Sequence, residues 1–374
     1  MPKRILYVVN IPRFFVSHRL PLALAARDAG YEVHVATSNA DPESIAQITA
    51  QGFPFHPLPL AQHGTNPLKE LQTVGALARL YRTLKPDLVH QVSIKAVLYG
   101  GLASRLAGVP AVVSAMSGLG YVFIGDDAKR RVLRLAILPL MRLALSGKNT
   151  RMIFQNPDDQ ARFIALGMIA PHNSVLIKGS GVDPNQFAPS PLPEGLPIVL
   201  FASRLMRQKG LDVFIEVARQ LKGKARFAVV GYAESTSPDT LSPDELQSFA
   251  DEGIIEWWGK RDDMPQVIAQ SSIVCLPSSY GEGVPKILIE ASASARAIVT
   301  TDVAGCREIV ENGVTGLLVP PKDAPALADA LLRLLQNRAL YKSMGQRGRE
   351  RFLEGFTLSH VTQATLELYK TLGV

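Results

Sequence analysis

Short apolar runs alternate with amphipathic segments along the whole chain, and that alternation leaves few folds open. Ile5–Val9, Glu32–Thr37, Asp87–His90, Ala111–Ser114, Met152–Gln155 and Val175–Lys178 read as buried parallel strands. Helical patterns lie between them, at Ser17–Ala29, Pro67–Leu84, Ile94–Ala107, Asp127–Ser146 and Pro157–Leu166. Such a series predicts a doubly wound α/β domain. The stretch Gly179–Pro197, GSGVDPNQFAPSPLPEGLP, then breaks the texture and reads as an interdomain linker. A second series follows, with strands at Ile198–Ala202, Arg226–Val230, Ile254–Trp258, Ile273–Leu276, Ile298–Thr300 and Gly316–Val319. The expected organisation is two Rossmann-like α/β domains facing a central cleft: 1–178, a linker at 179–197, 198–355, and a last helix within 356–374. Ligands of such sheets bind outside the carboxyl ends of the strands, which makes the cleft the default site.

The 374 residues suit two domains, and 47% hydrophobic with 20% charged residues excludes a disordered chain. Cys275 and Cys306 have no CxxC or Cys/His partner, so a disulfide framework is excluded. Two buried thiols and a reduced, cytoplasmic compartment are expected. The opening MPKRILYVVN lacks the apolar length of a signal peptide, and no stretch reaches the ~20 apolar residues of a spanning helix. The net charge of +7 is concentrated at Lys129, Arg130, Arg131, Arg134, Arg142, Lys148 and Arg151. That basic cluster suits an anionic partner.

The segment Ser278–Ala291, SSYGEGVPKILIEA, carries the most chemistry. It leaves a strand, runs through a glycine-containing loop and opens a helix near Val284. A helix start offers unpaired N–H groups and partial positive charge, which suits phosphate. Glu282 and Glu290 stand eight positions apart, roughly 12 Å along a helix. That span reaches from a sugar hydroxyl past a diphosphate to a ribose, and carboxylates accept hydrogen bonds from vicinal hydroxyls. Two exposed glutamates on an ordinary helix would look the same in isolation. Ser203–Gly210, SRLMRQKG, follows the first strand of the second series and adds Arg204 and Lys209. Two cations beside a helix start can stabilise a departing nucleoside diphosphate without a metal.

EGVPKILIE, the Arg204/Lys209 pair, GSGVDPNQF and VTTDVAGCREIVENGVTGLLVPPKD together resemble the retaining glycosyltransferases of family 4, with the GT-B fold. In the first half, NIPRFFVSHRLPLALAARDAGYEV, DLVHQVSIKAVLYGG, SGLGYVF and MIFQNPDDQARF resemble the bacterial branch that acts on polyprenyl-diphosphate-linked saccharides. The resemblance implies that Arg204 and Lys209 bind the donor diphosphate, Glu290 the ribose and Glu282 a donor-sugar hydroxyl. The backbone of Gly283 and Val284 would meet the phosphates, and Gly231, Lys260 and Arg261 would line the base pocket. It also implies a UDP-sugar donor, a polyprenyl-diphosphate-linked acceptor, and a last helix that crosses back onto the first domain.

Two departures stand out. The loop after the first strand, Pro12–Ser17, has no glycine, and Ala115, Met116 and Ser117 occupy the place of a sugar-contacting histidine. Backbone groups around Ser117, Gly118 and Gly120 are the expected substitutes. His18, read as opening a helix, either contacts acceptor diphosphate or caps that helix. His90 and Lys95 are acceptor-side candidates beside a structural alternative. No cluster has metal-ligand spacing, and no P-loop, GxSxG elbow or dinucleotide fingerprint occurs, so neither metal nor resident cofactor is expected. Nucleic acid is disfavoured because aromatics do not interleave with the basic residues.

Within Asp127–Ser146, Arg130, Arg131 and Arg134 cluster on one helical face opposite Val132, Leu133, Ile137, Leu140 and Leu143. A basic amphipathic helix can lie in a lipid headgroup plane or simply pack on its own sheet. The reading is a peripheral enzyme on the inner face of the cytoplasmic membrane, transferring an N-acetylhexosamine, with no obligate protein partner. Two alternatives remain at this point: a sugar-nucleotide epimerase on the same fold, and a non-catalytic nucleotide-sugar or lipid-binding protein.

Overall fold

The computed structural model describes residues 2–60, 66–116, 118, 128–232, 239–279 and 281–374. Internal contacts divide the chain into two units, Met1–Ser180 with His360–Val374, and Gly181–Ser359.

Among its described residues the first unit holds seven strands: β1 (Arg4–Val9), β2 (Glu32–Ser38), β3 (Phe55–Leu58), β4 (Leu88–Val92), β5 (Ala111–Ala115), β6 (Thr150–Phe154) and β7 (Ser174–Leu176). All pairs are parallel, in the order β3-β2-β1-β4-β5-β6-β7. The order reverses between β1 and β4, where a doubly wound sheet opens its crevice. The first-unit helices are α1 (Pro12–His18), α2 (Leu20–Asp28), α3 (Pro42–Ala50), α4 (Pro67–Leu84), α5 (Ile94–Ala107), α6 (Ala128–Leu145) and α7 (Pro157–Ala165). β1 and β4 are buried on both faces, which explains the unbroken apolar run of β1 and buries His90 and Gln91 within β4.

Three local features depart from the sequence expectation. The single helix Ser17–Ala29 is two, broken at Arg19, where ψ is −20°. Pro21 brings no N–H to a continuing helix, so the chain restarts. The glycine-free loop Pro12–Ser17 is itself helical, as α1. β3, not among the expected strands, contains Pro57; as an edge strand paired only with β2, it tolerates the lost donor.

The second unit holds β8 (Ile198–Ala202), β9 (Arg226–Val230), β10 (Glu256–Trp257), β11 (Ile273–Leu276), β12 (Ala297–Thr301) and β13 (Gly316–Val319). Their order is β10-β9-β8-β11-β12-β13, all parallel, with the reversal between β8 and β11. Its helices are α8 (Leu211–Gln220), α9 (Pro243–Asp251), α10 (Met264–Ala269), α11 (Lys286–Ala293), α12 (Ala304–Ile309), α13 (Ala324–Leu335) and α14 (Arg338–Gly355). Helix α9 has a legible start that the apolar pattern hid: Ser242 accepts from the Glu245 N–H while Glu245 accepts from the Ser242 N–H. Cys275 and Cys306 are both buried, and burial pushes the Cys306 thiol up to about 12.

Much of the glycine- and proline-rich stretch is not a free tether. Val182 and Phe187 enter the second core. The buried Arg296 guanidinium donates to the Ser190 carbonyl at 2.9 Å and to Ser190 Oγ at 2.7 Å. α15 (Leu358–Thr371) returns to the first unit, where Val361, Leu368, Tyr369 and Leu372 join its core. Among the described residues, no helix is long and apolar enough to cross a membrane.

Candidate active site

In the second unit the loops after β8 and β11 flank the strand-order reversal, and they are joined to each other. The Ser279 N–H donates to the Gln208 carbonyl at 3.0 Å. Gly210 has φ of 83°, and a Cβ there would stand 2.0 Å from the Pro277 carbonyl oxygen, so only glycine fits. Gly231, at φ of 150°, lies equally close to Ser203: a Cβ would meet the Ser203 carbonyl oxygen at 1.9 Å. These contacts place the loop after β9 against the loop after β8.

On this base Lys209 Nζ donates to Glu282 Oε1. The same oxygen accepts from Ser278 Oγ at 3.0 Å, and Thr301 Oγ1 in turn donates to the Ser278 carbonyl. Lys209 and Glu282 side chains are only 16% and 10% exposed, which makes this an ion pair with limited solvent screening. Ser278 was not singled out in the sequence, because a serine after a strand is usually a turn residue.

Gly283 and Val284 are buried just ahead of α11, which begins at Lys286 rather than near Val284. Its N-cap, Pro285, supplies no side-chain hydrogen bond to the helix start. Glu290, on the next turn, is buried and pairs with Lys286 Nζ at 3.1 Å. Burial raises the Glu290 carboxyl above the usual range and the Lys286 charge partly opposes this. Lys286 escaped notice because lysine on a helix ordinarily marks a solvated face.

Arg204 is exposed, directly after β8. Lys260 and Arg261 follow β10 and engage their own loop: Lys260 with Asp262 at 3.5 Å, Arg261 with Asp263 at 2.7 Å. The Gly231 N–H donates to the Gly259 carbonyl at 2.9 Å, linking that loop to the others. The structure thus brings Lys209, Glu282 and Ser278 into direct contact and sets Glu290 with Lys286 on the adjoining helix.

In the first unit His90 and His18 stand otherwise than expected. His90 is 1% exposed; its Nδ1 hydrogen-bonds the Tyr369 hydroxyl at 2.5 Å and its ring stacks on Tyr7 at 5.2 Å. Burial, then the Arg19 charge, pushes its pKa well below the usual range. It is a neutral core residue, because α15 covers the face it was expected to present to a ligand. His18 ends α1 rather than opening a helix, stacking on Phe14 at 4.2 Å with Nδ1 2.6 Å from Ser17 Oγ. Lys95, in the first turn of α5, pairs with Glu70 of α4 at 2.8 Å. Ser117 and Gly120 lie outside the described residues; Gly118 is described, with φ of 123°. Beside the β1/β4 reversal, Ser93 holds φ of 88° and ψ of 156° with a buried, unpartnered hydroxyl. Such a backbone costs about 1–3 kcal/mol in a residue with a side chain. Nothing in the sequence signalled it.

On α6 the Arg130 side chain lies outside the described residues, Arg131 is exposed and Arg134 is half-buried. The apolar face differs from the one expected: Met141, Ala144 and Leu145 face the core, while Val132, Leu135, Leu140 and Leu143 are 44–74% exposed. Among the described residues no group of three or more His, Cys, Asp or Glu is placed to hold a metal ion.

Residues 4–156 match the family model described as Glycosyl transferase 4-like, and residues 196–337 match Glycosyl transferases group 1. The chain is 27% identical to the N,N'-diacetylbacillosaminyl-diphospho-undecaprenol alpha-1,3-N-acetylgalactosaminyltransferase of Campylobacter jejuni, over 94% of each chain. It is 24% identical to the UDP-Gal:alpha-D-GlcNAc-diphosphoundecaprenol alpha-1,3-galactosyltransferase of Escherichia coli, covering 81% of this chain and 80% of that one. Among solved structures, Anabaena HepE in complex with UDP and glucose superimposes with a TM-score of 0.79 at 19% identity, over 99% of this chain and 100% of that one.

Proposed function

The chain belongs to the family 4 glycosyltransferases of GT-B fold, and from that premise we propose that it moves an N-acetylhexosamine, with retention, from a UDP-sugar to a polyprenyl-diphosphate-linked saccharide. The observation that carries this is the Lys209–Glu282–Ser278 cluster at the β8/β11 reversal, with Glu290 and the start of α11 beside it. Lys209, Arg204 and the first N–H groups of α11 hold the donor diphosphate. Glu290 accepts from the ribose hydroxyls, and Glu282 from a hydroxyl of the donor sugar.

In the reaction the bond from the sugar C1 to the β-phosphate oxygen breaks, and the acceptor oxygen bonds to C1 on the same face. The acceptor's proton passes to a β-phosphate oxygen. Negative charge grows on that phosphate as the bond breaks, so a fixed cation stabilises the transition state more than the ground state. Lys209, Arg204 and the helix start supply that countercharge, and turnover accordingly needs no divalent metal. The names of both undecaprenol-linked relatives support a lipid-linked acceptor, and the second supports a UDP donor.

A lipid acceptor places the enzyme at a membrane. The exposed leucines of α6, flanked by Arg131 and Arg142, support peripheral attachment to the anionic inner face of the cytoplasmic membrane. The test is a screen of UDP-sugars against polyprenyl-diphosphate-linked sugars, read by UDP release and by the product's anomeric configuration. Acceptor-dependent UDP release with an α-linked product from an α-linked donor is the expected result. Isomerisation of a UDP-sugar without acceptor, or no UDP release with any of the acceptors, overturns the reading.

A further inference from the structure

At the amino ends of β5 and β6 a cavity of about 430 Å³ lies between the last turns of α5 and α6 and the turn 146–149. Reaction ligands of a doubly wound sheet bind at the opposite, carboxyl edge. Arg105 and Lys148 line the cavity, and no acidic residue among the described ones does. A Cβ on Gly147 would stand 3.8 Å from Arg105 Nη1, so the guanidinium lies against the turn that carries Lys148.

Basic residues at helix ends ordinarily bond the last carbonyls. Here other donors take those carbonyls. The Gly108 and Val109 N–H groups both donate to Ser104, Arg82 Nη2 to Leu106 at 2.9 Å, and Ser146 Oγ to Leu143 at 2.9 Å. Among the described residues, neither the Arg105 nor the Lys148 side chain has a hydrogen-bond or ion-pair partner. The N–H groups of Gly147, Lys148 and Asn149 donate to no backbone carbonyl either. Two cations, three open N–H groups and no carboxylate suit an anion. The volume falls in the range of about 300–1,000 Å³ that holds small molecules, more than a bare ion needs. Leu106 and Leu143, each next in sequence to a lining residue, are 61% and 51% exposed. We propose that this cavity binds the phosphate of an anionic lipid headgroup, with Arg105 and Lys148 taking the charge and the two leucines meeting the acyl region. It is a second lipid contact of the first unit, apart from the catalytic reading and from Arg131 of α6.

The test is flotation of the full chain with phosphatidylcholine vesicles and with equimolar phosphatidylcholine and phosphatidylglycerol vesicles, after thermal melts confirm folding. Arg105→Gln with Lys148→Gln should weaken binding to the phosphatidylglycerol vesicles by roughly 30-fold, the effect of losing two basic contacts. Lys224→Gln with Arg333→Gln removes the same charge from exposed positions of the second unit and should change binding by less than about twofold. Inorganic phosphate should release the wild type at lower concentration than chloride of equal ionic strength, because it competes for the site as well as screening. Failure of the wild type to bind the phosphatidylglycerol vesicles overturns the inference, as does unchanged binding of the Arg105/Lys148 variant or an equal loss in both variants. Release by phosphate no better than by chloride does the same. Calorimetric binding of inorganic phosphate that needs Arg105 and Lys148, with vesicle binding indifferent to their loss, would assign the cavity to free phosphate and overturn the lipid source.

Discussion

At the scale of residues, the cations after β8 have separable consequences from the glutamates around α11. Lys209→Ala and Arg204→Ala should each lower kcat by roughly 10²–10³-fold, the range for losing one preorganised donor to a developing anion. Steady-state kinetics on folded variants check this, and near-normal kcat in both would remove the site from the β8/β11 reversal. Glu290 carries a pH prediction. Burial raises its pKa, so UDP affinity should fall as pH drops through that raised value and the ribose acceptor becomes protonated. Lys286→Met removes the opposing charge and should move the fall to higher pH, while Lys286→Arg restores it; UDP titrations across the acidic range decide. The same shift acts oppositely on folding. A raised carboxyl favours the fold below its unfolded pKa, and that contribution is lost as pH rises through the folded value. What sequence conveyed at this scale was uneven. Lys209, Glu282 and Glu290 could be named as candidates because loops at strand ends and a helix start constrain residue type. Lys286, Ser278 and Ser93 could not, since what singles them out is burial, a partner or a backbone angle. His90 misled for the converse reason: its strand-end position matched a site, but the covering helix is remote in sequence.

Among the elements, α6 carries the most consequential exposure. Val132 and Leu135, 68% and 74% exposed, lie near Arg131 on an 18-residue helix whose core-facing residues are elsewhere. Each basic residue near an anionic surface contributes about 1 kcal/mol, weakened by salt. Replacing Arg131 and Arg134 by Glu should reduce binding to anionic liposomes, and replacing Val132 and Leu135 by Ser should reduce binding that survives high salt. Flotation unchanged by both would leave α6 as ordinary surface. The helix itself was legible in the sequence. Its orientation was not, because apolar residues occur on more than one side and only packing against α5 selects Met141 and Ala144 for the core.

For the whole molecule, the two units are not equivalent in how the chain builds them. The second is one continuous stretch, Gly181–Ser359, whereas the first needs both ends of the chain. Tyr369 of α15 closes the first core, with its hydroxyl 3.1 Å from that of Tyr7 and 2.5 Å from His90 Nδ1. Tyr369→Phe leaves both buried partners unsatisfied and should cost about 1–3 kcal/mol. Denaturant melts followed by a probe in the first unit measure it, and unchanged stability there would show that the hydroxyl is dispensable. During synthesis the first 180 residues emerge with their core still missing Tyr369, Leu368 and Val361. At about 5–20 residues per second, the ribosome takes on the order of 10–35 s to make the intervening 179 residues. Within this stretch of chain the unit made first is therefore completed last, and its Tyr7–His90 stack waits for Tyr369 to cover it.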